Sequence, residues 1–79
     1  MSIKTHINED GTMTFTIRGR SISAYDINQE RPLYDTDEDP DRPHGRLNIS
    51  DREFFAAYRV LAALPLAEHI RACGQEPCQ

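Results

Sequence analysis

Residues 12–18 alternate strictly between polar and apolar side chains, and only an extended strand turns such a period into one buried face. The apolar members are Met13, Phe15 and Ile17. Asp10-Gly11 precedes this run, and an Asp-Gly pair favours the positive φ angles that a tight hairpin turn needs. Residues 2–7 also place their two isoleucines on one face. We therefore predict that residues 2–7 and 12–18 form an antiparallel hairpin.

A two-stranded hairpin is marginally stable alone, so other elements must cover its apolar face. That face is predicted to consist of Ile3, Ile7, Met13, Phe15 and Ile17. Residues 20–27 alternate at Ile22 and Ala24 and follow a possible bend at Gly19. This pattern predicts a third strand beside the hairpin.

A helix is predicted to begin at Asp51, because Ser50 and Glu53 have the spacing of a capping box. Its buried stripe is expected to comprise Phe54, Tyr58, Leu61 and Leu64, widened by Phe55, Ala57 and Val60. Pro65 should kink the helix or open a second short one, since proline lacks an amide hydrogen. That continuation would present Leu66, Ile70 and Cys73 and end at Gly74.

These elements predict one α+β domain over residues 1–79, in which a hairpin or three-stranded antiparallel sheet packs against a kinked or broken C-terminal helix. Residues 28–46 contain three prolines and many charged side chains. They are therefore expected to form a long acidic, Pro-rich loop or a disordered insert. Residues 75–79 are expected to be a frayed tail.

Five carboxylates and no cation occur in the eight residues from Tyr34 to Asp41. The whole chain has 13 acidic residues, nine Lys and Arg, and a formal charge of −4, so the chain outside this run carries +1. Clustered like charges repel within a folded protein, which favours a role in binding over a role in stability. The predicted partner-binding residues are Tyr34, Asp35, Asp37, Glu38, Asp39 and Asp41.

Catalytic and metal sites find little support in the sequence. His6 is predicted to lie on the strand face opposite the apolar one, His44 in the Pro-rich loop and His69 on a helix. They make no catalytic or metal-binding cluster, so each is expected to be an ordinary surface histidine. Aspartates at every second position from Asp35 to Asp41 are similar to a calcium-binding loop, but Pro40 and Arg46 occupy the positions of its glycine and its closing glutamate. No Gly-rich phosphate loop is present. We expect no enzyme activity, no cofactor and no metal site, although weak nonspecific cation binding stays open.

The composition also bears on partners and compartment. A pI near 5.2 argues against direct nucleic-acid binding. No apolar stretch is long enough to span a membrane, and the N-terminus lacks a signal-peptide core, so a cytoplasmic protein is expected. Cys73 and Cys78 are expected to be thiols there, with a disulfide between them as the alternative.

The leading functional hypothesis is a non-enzymatic protein-binding module that presents its acidic run to a basic surface of a partner protein. Basic grooves usually belong to nucleic-acid-binding proteins, and carboxylates can stand where phosphates would. In size, charge and expected architecture, the chain resembles small inhibitors of bacterial defence from phages and mobile elements, such as anti-CRISPR proteins. No motif contributes to this resemblance.

The alternative is a small homodimeric structural or assembly protein, associating through its helix or an open sheet edge, whose acidic loop serves solubility. A marginal core would gain from a shared interface. The aromatic residues of the helix could exceed what one hairpin covers, so a possible dimer or core face comprises Phe54, Phe55, Tyr58 and Leu61.

Overall fold

The structure is a computed structural model that describes residues 3–34 and 39–74. In these ranges the chain forms a three-stranded antiparallel sheet, with the strands side by side in chain order, combined with helices. The strands are β1 (Ile3–Ile7), β2 (Met13–Ile17) and β3 (Arg20–Ser23). The helices are α1 (Ala24–Gln29), a 3-10 turn (Arg31–Leu33), α2 (Asp51–Ala62) and α3 (Leu66–Ala72). The predicted α+β class is confirmed.

Two tight turns set the register of the sheet. The first hairpin pairs Ile7 with Met13, and Gly11 takes a φ of +91° in the connecting loop. In the second, Arg18 and Gly19 have φ angles of 56° and 76°, the two positive values of a type I′ turn. This turn twists with the strands, so β3 follows β2 directly in the sheet.

The predicted third strand is too long. β3 ends at Ser23, and the residues from Ala24 to Gln29 are helical. The Ser23 hydroxyl accepts a hydrogen bond from the Asp26 backbone N–H at 3.1 Å and caps the helix. The Ser-x-x-Asp signal for this cap was present in the sequence. The polar connection therefore starts later than predicted, because Asn28 and Gln29 belong to α1.

The core lies between the sheet and the helices. Its fully or nearly buried apolar residues are Met13, Phe15, Ile17, Ile22, Ala24, Ile27, Tyr34, Leu47, Ile49, Phe54, Ala57, Leu61, Ala72 and Cys73. Three of the side chains predicted to be buried are exposed, namely Ile7, Val60 and Leu66. Ile7 is 67% exposed, because it lies at the end of an edge strand beside an open notch, and Leu66 is 75% exposed at the start of α3.

Helix α2 begins where the capping box predicted. The Ser50 hydroxyl accepts from the Glu53 backbone N–H at 3.2 Å, and the Glu53 carboxylate accepts from the Ser50 backbone N–H at 2.9 Å. The helix ends before Pro65, and α3 follows as a separate short helix. Gly74 has a φ of +73°, as expected of a residue just past a helix end.

The aromatic face of α2 divides into a buried and a half-buried part. Phe54 and Leu61 are fully buried, so they belong to the core of a single chain. Phe55 and Tyr58 are only partly buried, and the guanidinium of Arg31 lies over both rings, 5.5 and 5.4 Å from their centroids. Of the four residues predicted to form a dimer or core face, Phe54 and Leu61 therefore belong to the core.

The helices within residues 3–34 and 39–74 are all too short or too polar to cross a lipid bilayer.

Replacing Ser50 with alanine should lower the free energy of unfolding by about 1–2 kcal/mol, because the cap and its buried hydrogen bonds are lost. Chemical denaturation measures this change. Ser21→Ala is the matched control, since Ser21 is exposed on β3, and it should change stability by less than about 0.5 kcal/mol. Equal effects of the two substitutions would mean that the cap does not stabilise α2.

Candidate interaction site

The acidic run follows a buried residue and ends on a surface turn. Tyr34 precedes the run and has no exposed surface. Asp39, Pro40 and Asp41 are exposed at its end. Asp35, Asp37 and Glu38, which were predicted to bind a partner, lie outside the described residues. The described part of the candidate site therefore consists of the two ends of the acidic run.

The N-terminal end is held by aromatic packing. The ring of Tyr34 stacks on Phe54 of α2, with centroids 4.1 Å apart and planes 3° from parallel. The imidazole of His44 packs against the same tyrosine at 4.5 Å. The Tyr34 hydroxyl donates to the His44 carbonyl oxygen at 2.7 Å. Burial raises the pKa of Tyr34, which keeps its phenol protonated as a donor.

This placement corrects one predicted binding residue. Tyr34 was assigned to the partner-binding surface with the carboxylates that follow it, but its side chain is a member of the core. An aromatic side chain of this size gains more by burial against Phe54 than by exposure to water. Tyr34 fixes the start of the acidic run, and its side chain has no exposed surface.

Gly45 allows the loop to close over Tyr34. Its φ is +74°, and an added Cβ would lie 2.9 Å from Leu33 Cδ2 and 3.1 Å from the Tyr34 hydroxyl oxygen. Both the backbone angle and the close approach require glycine at this position. The backbone N–H of His44 then donates to the Ile49 carbonyl at 3.1 Å. The chain returns to the core through this bridge.

His44 was predicted to be an ordinary surface histidine, but the structure gives it defined contacts. Its Nε2 lies 2.6 Å from Oδ1 of Asp51, the first residue of α2. Asp51 is buried, and His44 is partly buried. The pair joins the polar connection to the helix N-terminus, where a carboxylate is also favoured by the helix dipole. The pair is therefore a structural link in this fold.

The C-terminal end of the acidic run is held by Arg52. Its backbone N–H donates to the Pro40 carbonyl at 3.0 Å, and its Nε lies 2.8 Å from Asp41 Oδ1. Asp39 braces the turn, because its carboxylate accepts from the Asp41 N–H at 3.2 Å and its carbonyl from the Arg42 N–H at 3.1 Å. The hydrogen bond and ion pair between the Arg52 guanidinium and Asp41 raise the pKa of Arg52.

Three more arginines connect the loops to the body of the fold. Arg18 Nε donates to both carboxylate oxygens of Glu53 at 2.9 Å. Arg20 donates to the backbone carbonyls of Leu47 and Asn48. Arg46 bonds the Asp26 carboxylate at 2.8 Å. Alternation in the sequence would place Arg18 and Arg20 on the solvent-facing side of the sheet. No local sequence pattern indicates their distant partners.

Glu53 connects the hairpin turn, the helix cap and the helix itself. Burial alone would raise the pKa of its carboxyl group. Hydrogen bonds from the Ser50 backbone, from Arg18 and from the Ser50 hydroxyl outweigh burial and hold the pKa below its ordinary value. The carboxylate is thus stabilised in its charged form at neutral pH.

The part of the chain that the structure describes contains no group of three His, Cys, Asp or Glu placed to hold a metal ion. Of the aspartates compared with a calcium loop, Asp35 and Asp37 lie outside this part. Cys73 is a buried free thiol whose Sγ lies 3.8 Å from the Ala24 carbonyl oxygen. Cys78, its possible disulfide partner, also falls outside the described ranges.

Comparison of the chain with protein-family models, curated proteins and solved structures gave no match.

Replacing Tyr34 with phenylalanine should cost about 1 kcal/mol of unfolding free energy, because the His44 carbonyl loses its buried donor while the ring stack remains. Tyr34→Ala should cost about 3–5 kcal/mol through loss of the ring. Tyr25→Phe is the control, since Tyr25 is 48% exposed. Denaturant melts measure all three variants. A Tyr34→Phe effect no larger than that of Tyr25→Phe would contradict the anchor.

The contribution of Glu53 to stability should depend on pH. Its lowered pKa means that the stabilisation is complete above the unfolded value of about 4.5 and is lost as the pH falls through the lower folded value. The stability difference between the wild type and Glu53→Gln should therefore narrow between pH 6 and pH 3. Glu68→Gln, at an exposed position on α3, is the control. A constant wild-type advantage over Glu53→Gln across this range would contradict the ion pair.

Proposed function

We propose that the protein is a non-enzymatic protein-binding module that docks its acidic run, residues 35–41, on a basic surface of a partner protein. The observation that supports this proposal most is the fastening of the run at both ends. Tyr34, directly before the run, is fixed in the core, and Pro40 and Asp41, the last two residues of the run, are bonded to Arg52. Fewer backbone conformations then remain to be lost on binding, which lowers the entropic cost.

The described carboxylates of the run are accessible to a partner. The Asp41 side chain is 73% exposed and Asp39 is also exposed. The ion pair between Asp41 and Arg52 lies at the surface, where such pairs contribute little to stability. A guanidinium from a partner can therefore join Arg52 at the Asp41 carboxylate, while the backbone hydrogen bond from Arg52 to Pro40 still holds the turn. Carboxylates this close together act jointly over a Debye length of about 8–10 Å.

The chemistry of the run suggests the class of partner. A basic surface that accepts closely spaced carboxylates is one that would otherwise accept phosphates, so the partner is a protein with a nucleic-acid-binding groove. Occupation of that groove would exclude the nucleic acid. Under this proposal the protein is a small acidic inhibitor of the anti-defence type that phages and mobile elements carry, such as an anti-CRISPR protein.

The partner can be sought by affinity capture from host lysate at low and high salt, followed by titration of the purified partner. Changing Asp35, Asp37, Glu38, Asp39 and Asp41 to the matching amides should weaken binding more than tenfold and leave the fold intact, because these charges repel one another. Binding by the wild type should also weaken as salt increases.

A matched pair of double variants distinguishes the effect of where negative charge is removed from the effect of how much is removed. Asp35→Asn with Asp37→Asn and Glu9→Gln with Glu68→Gln each remove two negative charges. Glu9 and Glu68 are exposed and lie outside the run. The first variant should lose most of the affinity and the second should keep it. Equal losses would show a general charge effect, and unchanged affinity in the first would exclude the acidic run as the contact.

A further inference from the structure

The outer edge of strand β1 is open in the structure. Within residues 3–34 and 39–74, β1 pairs with β2 on one side and with no strand on the other. Four of its five residues are exposed. An open edge presents backbone donors and acceptors to any further strand.

The turn geometry shows which backbone groups face that edge. The Asn8 N–H donates to the Thr12 carbonyl at 2.7 Å, next to the pair of Ile7 with Met13. Because hydrogen-bonded pairs alternate in an antiparallel ladder, the groups of Lys4 and His6 also face β2. The N–H and C=O groups of Ile3, Thr5 and Ile7 therefore point outward.

We infer that this edge binds a second copy of the chain, with β1 pairing antiparallel to β1 of the partner across a twofold axis at Thr5. In this register Thr5 lies opposite its own copy, and Ile3 lies opposite Ile7 of the second chain. All six outward backbone groups of each strand then find partners. The two sheets become one six-stranded antiparallel sheet.

Charge selects this register over its neighbours. Lys4 is the one Asp, Glu, Lys or Arg on β1. A twofold axis at Lys4 would place two lysines directly opposite each other, which is unfavourable. The axis at Thr5 places Lys4 opposite His6, and it pairs all five residues of the strand. An axis at His6 would leave fewer of the strand residues paired.

The same register covers the exposed isoleucine of the edge. Ile7 is 67% exposed beside a notch of about 200 Å³, lined by Gly11, Met13, Leu64, Glu68 and Arg71. Ile3 of the second copy would lie directly opposite Ile7 on the core-facing side of the sheet. Opposite side chains in a ladder are about 4.5–5.5 Å apart between Cβ atoms, so the two isoleucines would touch.

The size of this contact sets the expected affinity. A five-residue strand is about 17 Å long, and it buries less than the roughly 800 Å² per partner of a standard stable interface. The contact therefore belongs to the class of small, transient interfaces, and the dimer should be weak. Lys4 is also the type of residue that natural edge strands use to limit further pairing.

Sedimentation equilibrium of the full chain from about 10 µM to 1 mM tests the proposal. Thr5→Pro removes one outward N–H and should weaken dimerisation at least tenfold, while the fold survives because that N–H is not bonded to β2. Thr5→Val keeps the N–H and is the matched control, expected to dimerise within about threefold of the wild type. Circular dichroism checks the fold of both variants.

Nuclear magnetic resonance on a mixture of labelled and unlabelled chains tests the register. The proposal predicts an intermolecular contact between the Hα atoms of Lys4 and His6, which form a closely spaced, non-hydrogen-bonded pair. A wild-type chain that stays monomeric at 1 mM would overturn the inference. So would a dimer that Thr5→Pro leaves unchanged, or one whose intermolecular contacts lie on the helices. This readout does not depend on the acidic run, whose neutralised variant should still dimerise.

Discussion

The stacking of Tyr34 on Phe54 is the contact on which the rest of the arrangement depends. The connection between α1 and α2 is polar and rich in proline, and a segment of this composition gains little by collapsing onto a core. One large aromatic ring inserted into the core changes that balance, because its burial is worth several kcal/mol. The ring also provides the surface against which His44 and Gly45 close.

The second half of the connection is held by polar groups. Pro40 and Asp41 are bonded to Arg52, and His44 is paired with Asp51, so both contacts lie on the first turn of α2. Glu53, on the same turn, binds Arg18 from the hairpin. The N-terminus of α2 is thus where the acidic segment, the helix cap and the sheet meet. Stability and the presentation of the carboxylates are coupled through this turn.

Much of the fold could be predicted from the sequence, because the signals were local. Alternation at Met13, Phe15 and Ile17 gave the central strand, and the Ser50 and Glu53 pair gave the helix start. The third strand was predicted to be too long, because Ile22 and Ala24 continue the alternation across the helix cap at Ser23. Burial of Tyr34 could not be predicted, since it depends on a stacking partner twenty positions away in a different element.

The candidate interaction site was predictable only in part. Clustered carboxylates locate the acidic run in the sequence. The arginine contacts that hold the surrounding loops, however, join residues far apart in the chain. Arg18 and Glu53, for example, are 35 positions apart. The open edge of β1 likewise follows from the strand order, which no single segment encodes. Long-range contacts of this kind are determined by packing and produce no periodic pattern in the sequence.

Chemical-shift mapping with a short arginine-rich peptide as probe tests the central claim most directly. Backbone amides of the full chain would be followed during titration at low and at high salt. The largest shifts should occur within the acidic run, residues 35–41, and at Arg42 and Arg52, and salt should reduce them. Shifts centred on the strands or on α3, or shifts that persist unchanged at high salt, would contradict the acidic run as the contact surface.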